Sequence, residues 1–187
     1  MSGLWVFICG ASGAGKDSVM AWAAEHMQSS TGIVFARRMV TRAAHTGSDH
    51  DAVTPEQFAQ LQSTSALAWQ WHAHGFAYGI GSCYAQRVQR GDLVVVNGSR
   101  EHASALLNRS DVRLVHIVVD AQELARRLKH RGRDAPHEVT HRMARNGQFS
   151  GLSSDYTIVN QQTVADAGQQ LLAYLQGLTA GVANPVQ

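Results

Sequence analysis

The stretch that decides the fold of this 187-residue chain is Leu4-Trp5-Val6-Phe7-Ile8-Cys9-Gly10-Ala11-Ser12-Gly13-Ala14-Gly15-Lys16-Asp17-Ser18. Six apolar residues without interruption predict a strand that is buried on both faces of a sheet. The residues after them have the spacing Gly-x4-Gly-Lys of a phosphate-binding loop, in which backbone N–H groups converge on one anion at a helix N-terminus. The stretch therefore predicts a nucleotide phosphate held by residues 10–18, with Lys16 reaching the outer phosphates.

The loop departs from its usual form at one position. A Ser or Thr, whose hydroxyl binds Mg²⁺, normally follows the lysine. Here Asp17 stands there, with Ser18 next. A glycine-rich turn that binds nothing is therefore an alternative, although the helical spacing of apolar residues over 19–27 is the context that a phosphate loop requires.

Bulk composition limits the class of protein. The chain has 44% hydrophobic and 16% charged residues, which predicts one globular domain rather than a disordered segment. A net charge of +2 gives no reason to expect nucleic acid or a membrane surface as a partner. The apolar run at the N-terminus is too short for a signal peptide or a membrane span, and two cysteines fit a reducing compartment. We therefore expect a cytoplasmic protein.

The rest of the chain alternates between helical and strand patterns, which predicts an α/β fold with a parallel sheet flanked by helices. The strand patterns lie at 33–36, 93–96, 112–119 and 156–159, with a hairpin over 66–81 that turns near 74–75. The helical patterns lie at 16–27, from 54, at 82–90, from a capping box at 120–123 to 130, and at 163–178. We expect loops at 37–48 and 131–136 and a frayed terminus at 179–187.

Basic and polar side chains gather in two places that suit an anionic ligand. The loop 37–48 is rich in arginine, which suits an anion clamp, although a merely solvated basic loop is the alternative. Asn97, Ser99 and Arg100 follow the predicted strand 93–96, and ligands gather at the carboxyl ends of parallel strands.

The order of these parts resembles the nucleoside monophosphate kinases, and more closely the guanylate kinases. Val40-Thr41-Arg42 resembles their Thr-Thr-Arg, Tyr78-Gly79 their Tyr-Gly, and Arg131-Gly132-Arg133 the start of their lid. The segment 155–160 resembles their Asp-Tyr-x-Ile-Val-Asn, which ends in Asn160 near the adenine site. The resemblance implies one domain with a core of 1–37, 91–130 and 148–187, an acceptor-binding insert of 38–90 and an arginine-rich lid of 131–147.

The departures from guanylate kinases fall where guanine would be recognised. Trp69 stands at the position of their guanine-binding glutamate, Asn97-Gly98-Ser99 at their Asp-x-Asp, and His45 at their second loop arginine. Without these acceptors the N–H groups of guanine would stay unmatched, so we do not expect GMP as the acceptor. The blocks with Lys16-Asp17-Ser18, Trp71-His72-Ala73 and 96–100 instead resemble the ribose 1,5-bisphosphate phosphokinases of bacterial phosphonate breakdown.

This closer resemblance implies transfer of a phosphoryl group from ATP, with Mg²⁺, to ribose 1,5-bisphosphate, giving 5-phosphoribosyl 1-pyrophosphate. It implies that residues 10–18 and Asn160 bind ATP and that Asp17 holds Mg²⁺ directly or through water. The residues implied in catalysis are Lys16, which holds the outer phosphates, and Arg131, Arg133 and Arg142, which close over the transferred group as a lid, with Arg145 as a weaker candidate. Those implied in binding the acceptor are Arg38, Arg42, Tyr78, Asn97, Ser99 and Arg100, with Arg37, His45 and His72 as weaker candidates. A homodimer stays open.

Rival functions remain at this stage. His137-Glu138-Val139-Thr140-His141 matches the His-Glu-x-x-His motif of zinc hydrolases, although no third ligand follows at a suitable spacing. A guanylate-kinase-like binding module without catalysis is a second rival, and Lys16 with the arginine lid argues against it. A guanylate or other nucleoside monophosphate kinase is the nearest alternative.

Overall fold

The computed structural model describes residues 2–27, 32–44, 49–130 and 151–183. Its strands are β1 (Leu4–Gly10), β2 (Ile33–Phe35), β3 (Arg38–Val40), β4 (His50–Ala52), β5 (Leu67–Ala73), β6 (Phe76–Gly81), β7 (Leu93–Asn97), β8 (Val112–Val118) and β9 (Tyr156–Val159). Its helices are α1 (Lys16–Glu25), α2 (Pro55–Ser63), α3 (Ser82–Gln89), α4 (Arg100–Leu106), α5 (Ala121–His130) and α6 (Val164–Ala183).

A parallel sheet in the order β2-β7-β1-β8-β9 forms the centre of the described part of the chain. The apolar run at the N-terminus is its middle strand, and the side chains of 6–9 are wholly buried, as the sequence predicts. The carboxyl ends of β1 and β7 lie side by side, because Ile8 pairs with Asn97. This register brings the phosphate loop next to the segment 97–100, and it confirms the α/β fold with a parallel sheet.

The alternation of side chains along β1 gives the sheet two apolar faces. Val6 and Ile8 pack in a core formed with α1, α5 and α6. Trp5, Phe7 and Cys9 pack on the opposite face, in a core formed with α3, α4 and a second sheet. The second sheet therefore lies over the face of the central sheet that α4 also covers.

The second sheet has the strand order β4-β3-β6-β5, and all of its strands lie within the predicted insert, whose boundaries stay a prediction. The predicted hairpin is present as β5 and β6, which turn at His74 and Gly75. Helix α2 begins after Thr54, as predicted, and it begins with a capping box: Thr54 Oγ1 accepts from the Gln57 backbone N–H at 3.1 Å, and Gln57 Oε1 accepts from the Thr54 N–H at 2.8 Å.

The prediction of a continuous loop over 37–48 is wrong in part. Residues 38–40 form β3, which pairs antiparallel with β6 and parallel with β4. A strand of three residues is too short to show an alternating pattern, so β3 is recognised only by its pairing with β6 and β4. The Thr41 hydroxyl extends this pairing by accepting from the Ala77 N–H at 2.8 Å.

Three smaller predictions also need correction. Residues 100–106, which the sequence analysis left unassigned, form α4, and α6 continues to Ala183 instead of ending at 178. The capping box at 120–123 is half formed: Asp120 Oδ1 accepts from the Glu123 N–H at 2.7 Å, while the Glu123 carboxylate pairs with Arg126 and Arg127. The two arginines compete better for this carboxylate than a backbone N–H does, because both partners of each arginine–carboxylate hydrogen bond are charged.

In the described residues, none of the helices is long and apolar enough to cross a membrane.

Candidate active site

The phosphate loop has the backbone shape that converging N–H groups require. Gly13 and Gly15 have φ angles of +94° and +87°, which side-chain-bearing residues rarely adopt. Helix α1 begins directly after the loop, with Gly15 as its N-cap and without a side-chain cap. The first N–H groups of α1 and the positive end of its dipole therefore remain directed at the loop, as an anion site needs.

Lys16 lies over this loop. Its ammonium donates to the carbonyl oxygens of Gly10 at 2.9 Å and Ala11 at 3.1 Å. Burial lowers the pKa of Lys16 to about 8, and the nearby Asp17 carboxylate only partly offsets this. A cation held in such surroundings gains from an anionic ligand, so the loop fits a nucleotide phosphate.

Asp17 connects the phosphate loop to both acceptor-side segments. Its Oδ1 accepts from Asn97 Nδ2 at 2.7 Å and lies 3.3 Å from Arg38 Nη2. Arg38 Nη1 also donates to the Asn97 carbonyl oxygen at 3.4 Å. Residues of α1, β3 and β7 thus share one charged network beside Lys16. Burial lowers the pKa of Arg38, and Asp17 is the largest influence in the opposite direction.

Arg38, Tyr78 and Arg42 lie along one side of the second sheet. Arg38 and Val40 share a face of β3, and Val40 pairs with Tyr78 of β6. The Arg38 guanidinium carbon lies 6.0 Å from the centre of the Tyr78 ring, and that of Arg42 lies 5.7 Å from the Phe76 ring. The structure therefore brings three of the predicted acceptor residues to one face, and that face is turned toward the central sheet.

The predicted residues at the end of β7 differ in what they contact. Ser99 caps α4, because its hydroxyl accepts from the His102 N–H at 3.1 Å. Arg100 is the first residue of α4. Burial is the main cause that lowers the pKa of His116, and the nearby charge of Arg100 lowers it further. The same charge contributes to the lowered pKa of Lys16. Asn97 belongs to the Asp17 network. Arg100 and Asn97 thus border the phosphate loop, whereas Ser99 positions the helix that carries Arg100.

Asn160 supports the phosphate loop from the other side. Its side chain is almost wholly buried at 1% exposure and donates from Nδ2 to the Ala14 carbonyl oxygen at 2.8 Å. A Cβ added to Gly15 would lie 2.5 Å from the same Nδ2, which leaves room only for glycine. Arg127 in turn donates to the Asn160 carbonyl oxygen at 2.9 Å and to Glu123 Oε1 at 2.7 Å. Asn160 thus fixes the position of the loop backbone.

Two of the weaker acceptor candidates lie apart from this site. The guanidinium of Arg37 is exposed and pairs with the carboxylates of Asp49 and Asp51. His72 is exposed on β5 between the buried Trp71 and Ala73, so it lies on the face of the second sheet opposite Tyr78.

Several predicted residues lie outside the described residues. They are His45, Arg131, Arg133, Arg142, Arg145, His137, Glu138 and His141. The lid and the His-Glu-x-x-His motif therefore stay predictions. Within the described ranges, no group of three or more His, Cys, Asp or Glu side chains could hold a metal ion.

Comparison with known proteins decides the family. The sequence model of the AAA domain matches residues 6–146. Ribose 1,5-bisphosphate phosphokinase PhnN of Agrobacterium fabrum is 37% identical over 185 residues, which cover 96% of this chain and 100% of that protein. The PhnN protein of Burkholderia mallei is 38% identical over 92% of this chain and 95% of its own length.

The chain belongs to the ribose 1,5-bisphosphate phosphokinase family. It is an enzyme, a P-loop kinase, as the resemblance of its motifs implies. The crystal structure of guanylate kinase from Anaplasma phagocytophilum matches the fold with a TM-score of 0.70 at 20% identity, over 94% of this chain and 86% of that one. This likeness confirms the guanylate-kinase-like arrangement of a parallel sheet flanked by helices.

Two residues that support the phosphate loop, Glu123 and Arg127, could not be assigned that role from the sequence. The ion pair of Glu123 with Arg127 is readable from its i, i+4 spacing on a helix, but its contact with Asn160 is not. The sequence predicts that Asp17, Arg38 and Asn97 each belong to the site, but it does not predict that they contact one another. Arg38 is 21 positions and Asn97 is 80 positions from Asp17, so no local pattern indicates these contacts.

Proposed function

We propose that this member of the ribose 1,5-bisphosphate phosphokinase family transfers the γ-phosphoryl group of ATP to ribose 1,5-bisphosphate, giving 5-phosphoribosyl 1-pyrophosphate and ADP. The observation that carries the proposal is the network of Asp17, Arg38 and Asn97. In this network Arg38, a partly buried arginine that we assign to the acceptor side, lies 3.3 Å from Asp17, the residue that follows the phosphate-loop lysine. A donor phosphate and an acceptor phosphate bound at these two places would be neighbours, which is what phosphoryl transfer needs.

The acceptor atom is an oxygen of a phosphate group. Phosphate monoesters have a second pKa of about 6, so this oxygen is anionic near neutral pH and needs no general base. The task left to the protein is to hold two anionic groups in line and to offset the charge on the transferred group. A site built from Lys16, Arg38 and Arg100, with no buried carboxylate assigned as a base, suits that task.

On the donor side, the N–H groups of residues 10–18 and the Lys16 ammonium would hold the β- and γ-phosphates. Mg²⁺, when bound, would supply positive charge that offsets the charge of these phosphates. Such an ion keeps several waters and needs only one or two carboxylates from the protein, so a single carboxylate at Asp17 fits it. Ser18 would contact an inner phosphate, and Asn160 would keep the loop in place near the adenine.

On the acceptor side, Arg38, Arg42, Tyr78 and Arg100 would hold the phosphates of the sugar. Arg38 is the strongest of these candidates because Asp17 and Asn97 fix both of its terminal nitrogens. Asn97 would orient Arg38, and Ser99 would orient Arg100 through the N-terminus of α4. Arg131, Arg133 and Arg142 would close over the transferred group as a lid.

The nearest alternative acceptor is GMP, as for a guanylate kinase. The position of the guanine-binding glutamate holds Trp69, whose ring packs edge-on against Trp5 and Phe7 with centroids 5.6 and 5.3 Å apart. An indole so packed offers no acceptor for the N–H groups of guanine. The sugar bisphosphate therefore fits the acceptor side better.

A small-molecule substrate, without nucleic acid or membrane as a partner, agrees with a site whose cations are Lys16, Arg38 and Arg100. Cys9 and Cys83 are both free, which agrees with action in the reducing cytoplasm. A homodimer stays a prediction.

The proposal is tested by identifying the product. Phosphorus NMR of a mixture of enzyme, MgATP and ribose 1,5-bisphosphate should show a new pyrophosphate linkage on the sugar as ADP accumulates. ADP formation without that linkage, or with inorganic phosphate in its place, would overturn the assigned reaction.

A further inference from the structure

Three aromatic rings form a stack between the second sheet and α4. The ring of Trp71 is nearly parallel to that of Tyr78, with centroids 5.5 Å apart and planes at 7°. It is also nearly parallel to the ring of His102, at 4.8 Å and 11°. His102 meets Phe7 edge-on at 5.3 Å, which fastens the stack to the central sheet. Trp71 and Tyr78 are buried at 7% and 6% exposure, so the rings fill this space rather than line an open one.

The stack begins where the proposed acceptor phosphate would lie. Asp17 contacts Arg38, and Arg38 lies over Tyr78 at 6.0 Å. Beyond Tyr78 the next rings are Trp71 and then His102. A flat nucleobase that extends from a phosphate held by Arg38 and Tyr78 along this face would therefore meet two aromatic rings of the protein. A sugar phosphate without a base does not need that space.

The chemistry of the stack also disfavours a base. The ring faces of Trp71 and Tyr78 carry no hydrogen-bonding group, and the His102 imidazole is neutral near pH 7, because burial lowers its pKa to about 4. The polar edge of a nucleobase would lose its bonds to water here without gaining matched partners. Discrimination against such a ligand comes from both the filled volume and the unmatched polar groups.

We propose that Trp71 and His102 exclude nucleoside monophosphates from the acceptor side and so restrict the acceptor to phosphates that carry no base. The inference rests on the proposed function, because it takes from it the position of the acceptor phosphate beside Arg38 and Tyr78. It assigns substrate discrimination to a tryptophan of the hairpin and a histidine of α4.

Binding measurements test this without relying on turnover. Calorimetry with the donor site filled by a non-hydrolysable ATP analogue gives the dissociation constants of GMP and of ribose 5-phosphate. In Trp71→Ala we expect GMP to bind about 10-fold tighter or more, since an indole-sized space opens, and ribose 5-phosphate to change by less than about 3-fold. His102→Ala should shift the same ratio in the same direction by a smaller factor.

Trp22→Ala is the matched control. Trp22 also stacks on a histidine, since its ring lies 3.8 Å from that of His26, but both residues belong to α1 and its C-cap and are not part of the stack of Trp71. This variant removes the same side chain and should leave the ratio unchanged. If Trp71→Ala does not fold, as circular dichroism would show, His102→Ala alone decides. An unchanged ratio in every folded variant of Trp71 and His102 would overturn the inference. Failure of the wild-type enzyme to phosphorylate ribose 1,5-bisphosphate would instead count against the proposed function, and it is seen in a separate assay.

Discussion

The phosphate loop and the acceptor side of this kinase are built in different ways. The loop is one continuous stretch, 10–18, whose glycines and lysine determine its shape locally. The proposed acceptor side is assembled from β3, β5, β6, β7 and α4, elements that are spread over residues 38–106. A local motif identifies the first region and the class of its ligand. Short blocks such as 96–100 indicate the acceptor through their resemblance to a family, whereas only the folded arrangement shows which side chains of the second region contact one another.

The two regions are joined at one point. Asp17 belongs to the phosphate loop by sequence, and its carboxylate contacts Arg38 and Asn97 of the acceptor side. If the two regions act separately apart from this link, variants should sort into three groups: those that affect the nucleotide, those that affect the acceptor, and variants of Asp17, which affect both.

The largest effect is expected from Lys16→Ala. Removing the ammonium that lies over the loop should lower kcat by about 10³-fold or more, because this charge acts on the transferred group itself. The fold should persist, since Lys16 contacts only loop carbonyls in the described residues. Turnover measured beside Lys129→Ala, an exposed lysine of α5, checks this. Equal turnover of the two variants would break the account of the phosphate loop.

Arg38→Met should act on the acceptor alone. We expect kcat/KM for the acceptor to fall by about 10²-fold, as for a lost charged hydrogen bond, while the affinity for ADP stays within about 2-fold. Arg37→Met is the matched control, because Arg37 is next to Arg38 in sequence but pairs with Asp49 and Asp51 on the surface. Similar losses in the two variants would mean that Arg38 has no special place in the site.

Asp17→Ala should affect both regions. It removes the proposed Mg²⁺ ligand and also frees Arg38, so the Mg²⁺ concentration for half-maximal rate and the KM for the acceptor should each rise by about 10-fold. Initial rates measured over a grid of Mg²⁺ and acceptor concentrations separate the change in Mg²⁺ requirement from the change in KM for the acceptor. A change in the acceptor KM with an unaltered Mg²⁺ titration would make Asp17 a positioning residue for Arg38 only.

The pH dependence of nucleotide binding should follow Lys16. Its pKa in the free protein is lowered to about 8, so the ammonium loses its proton as the pH rises past that value. Phosphates stabilise the charged form, so ADP binding should take up a proton above about pH 8 and weaken by up to about 10-fold per further pH unit. Calorimetry in buffers of different ionisation enthalpy measures this uptake. Lys16→Arg keeps its charge and should show none; proton uptake in that variant would point to another group.

Asn160→Ala should have the smallest effect, and on the nucleotide only. It removes one buried hydrogen bond to the Ala14 carbonyl, worth about 1–3 kcal/mol of stability. We expect a several-fold weaker affinity for ADP and an unchanged KM for the acceptor. Fluorescence titration with a labelled nucleotide, together with thermal unfolding, checks both. A raised acceptor KM would show that the two regions are coupled beyond Asp17.

Much of the fold could be predicted from sequence because its signals are local. The buried strand, the glycine loop and the capping box at Thr54 each lie within a few residues, and all are present. The errors fall where structure depends on distant partners. Strand β3 exists because it pairs with β6, and three residues of polar and basic sequence show no strand period.

The same division holds for the site. Lys16 and its loop are recognisable from spacing alone, whereas the stack of Trp71 on His102 joins residues of two separate elements and has no signature in sequence. Ser99 shows a further limit: its place after β7 suggests a ligand contact, and in the structure its hydroxyl caps α4. Position at a strand end indicates that a residue borders the site, and its hydrogen-bond partners determine what it does there.

The most direct test of the account is one coupled assay of ADP release with three acceptor conditions. Ribose 1,5-bisphosphate, GMP and no acceptor are compared at equal enzyme, ATP and Mg²⁺. The account predicts rapid release with ribose 1,5-bisphosphate and background release with GMP, because the acceptor side recognises phosphate and excludes the base. Faster release with GMP than with ribose 1,5-bisphosphate would contradict it.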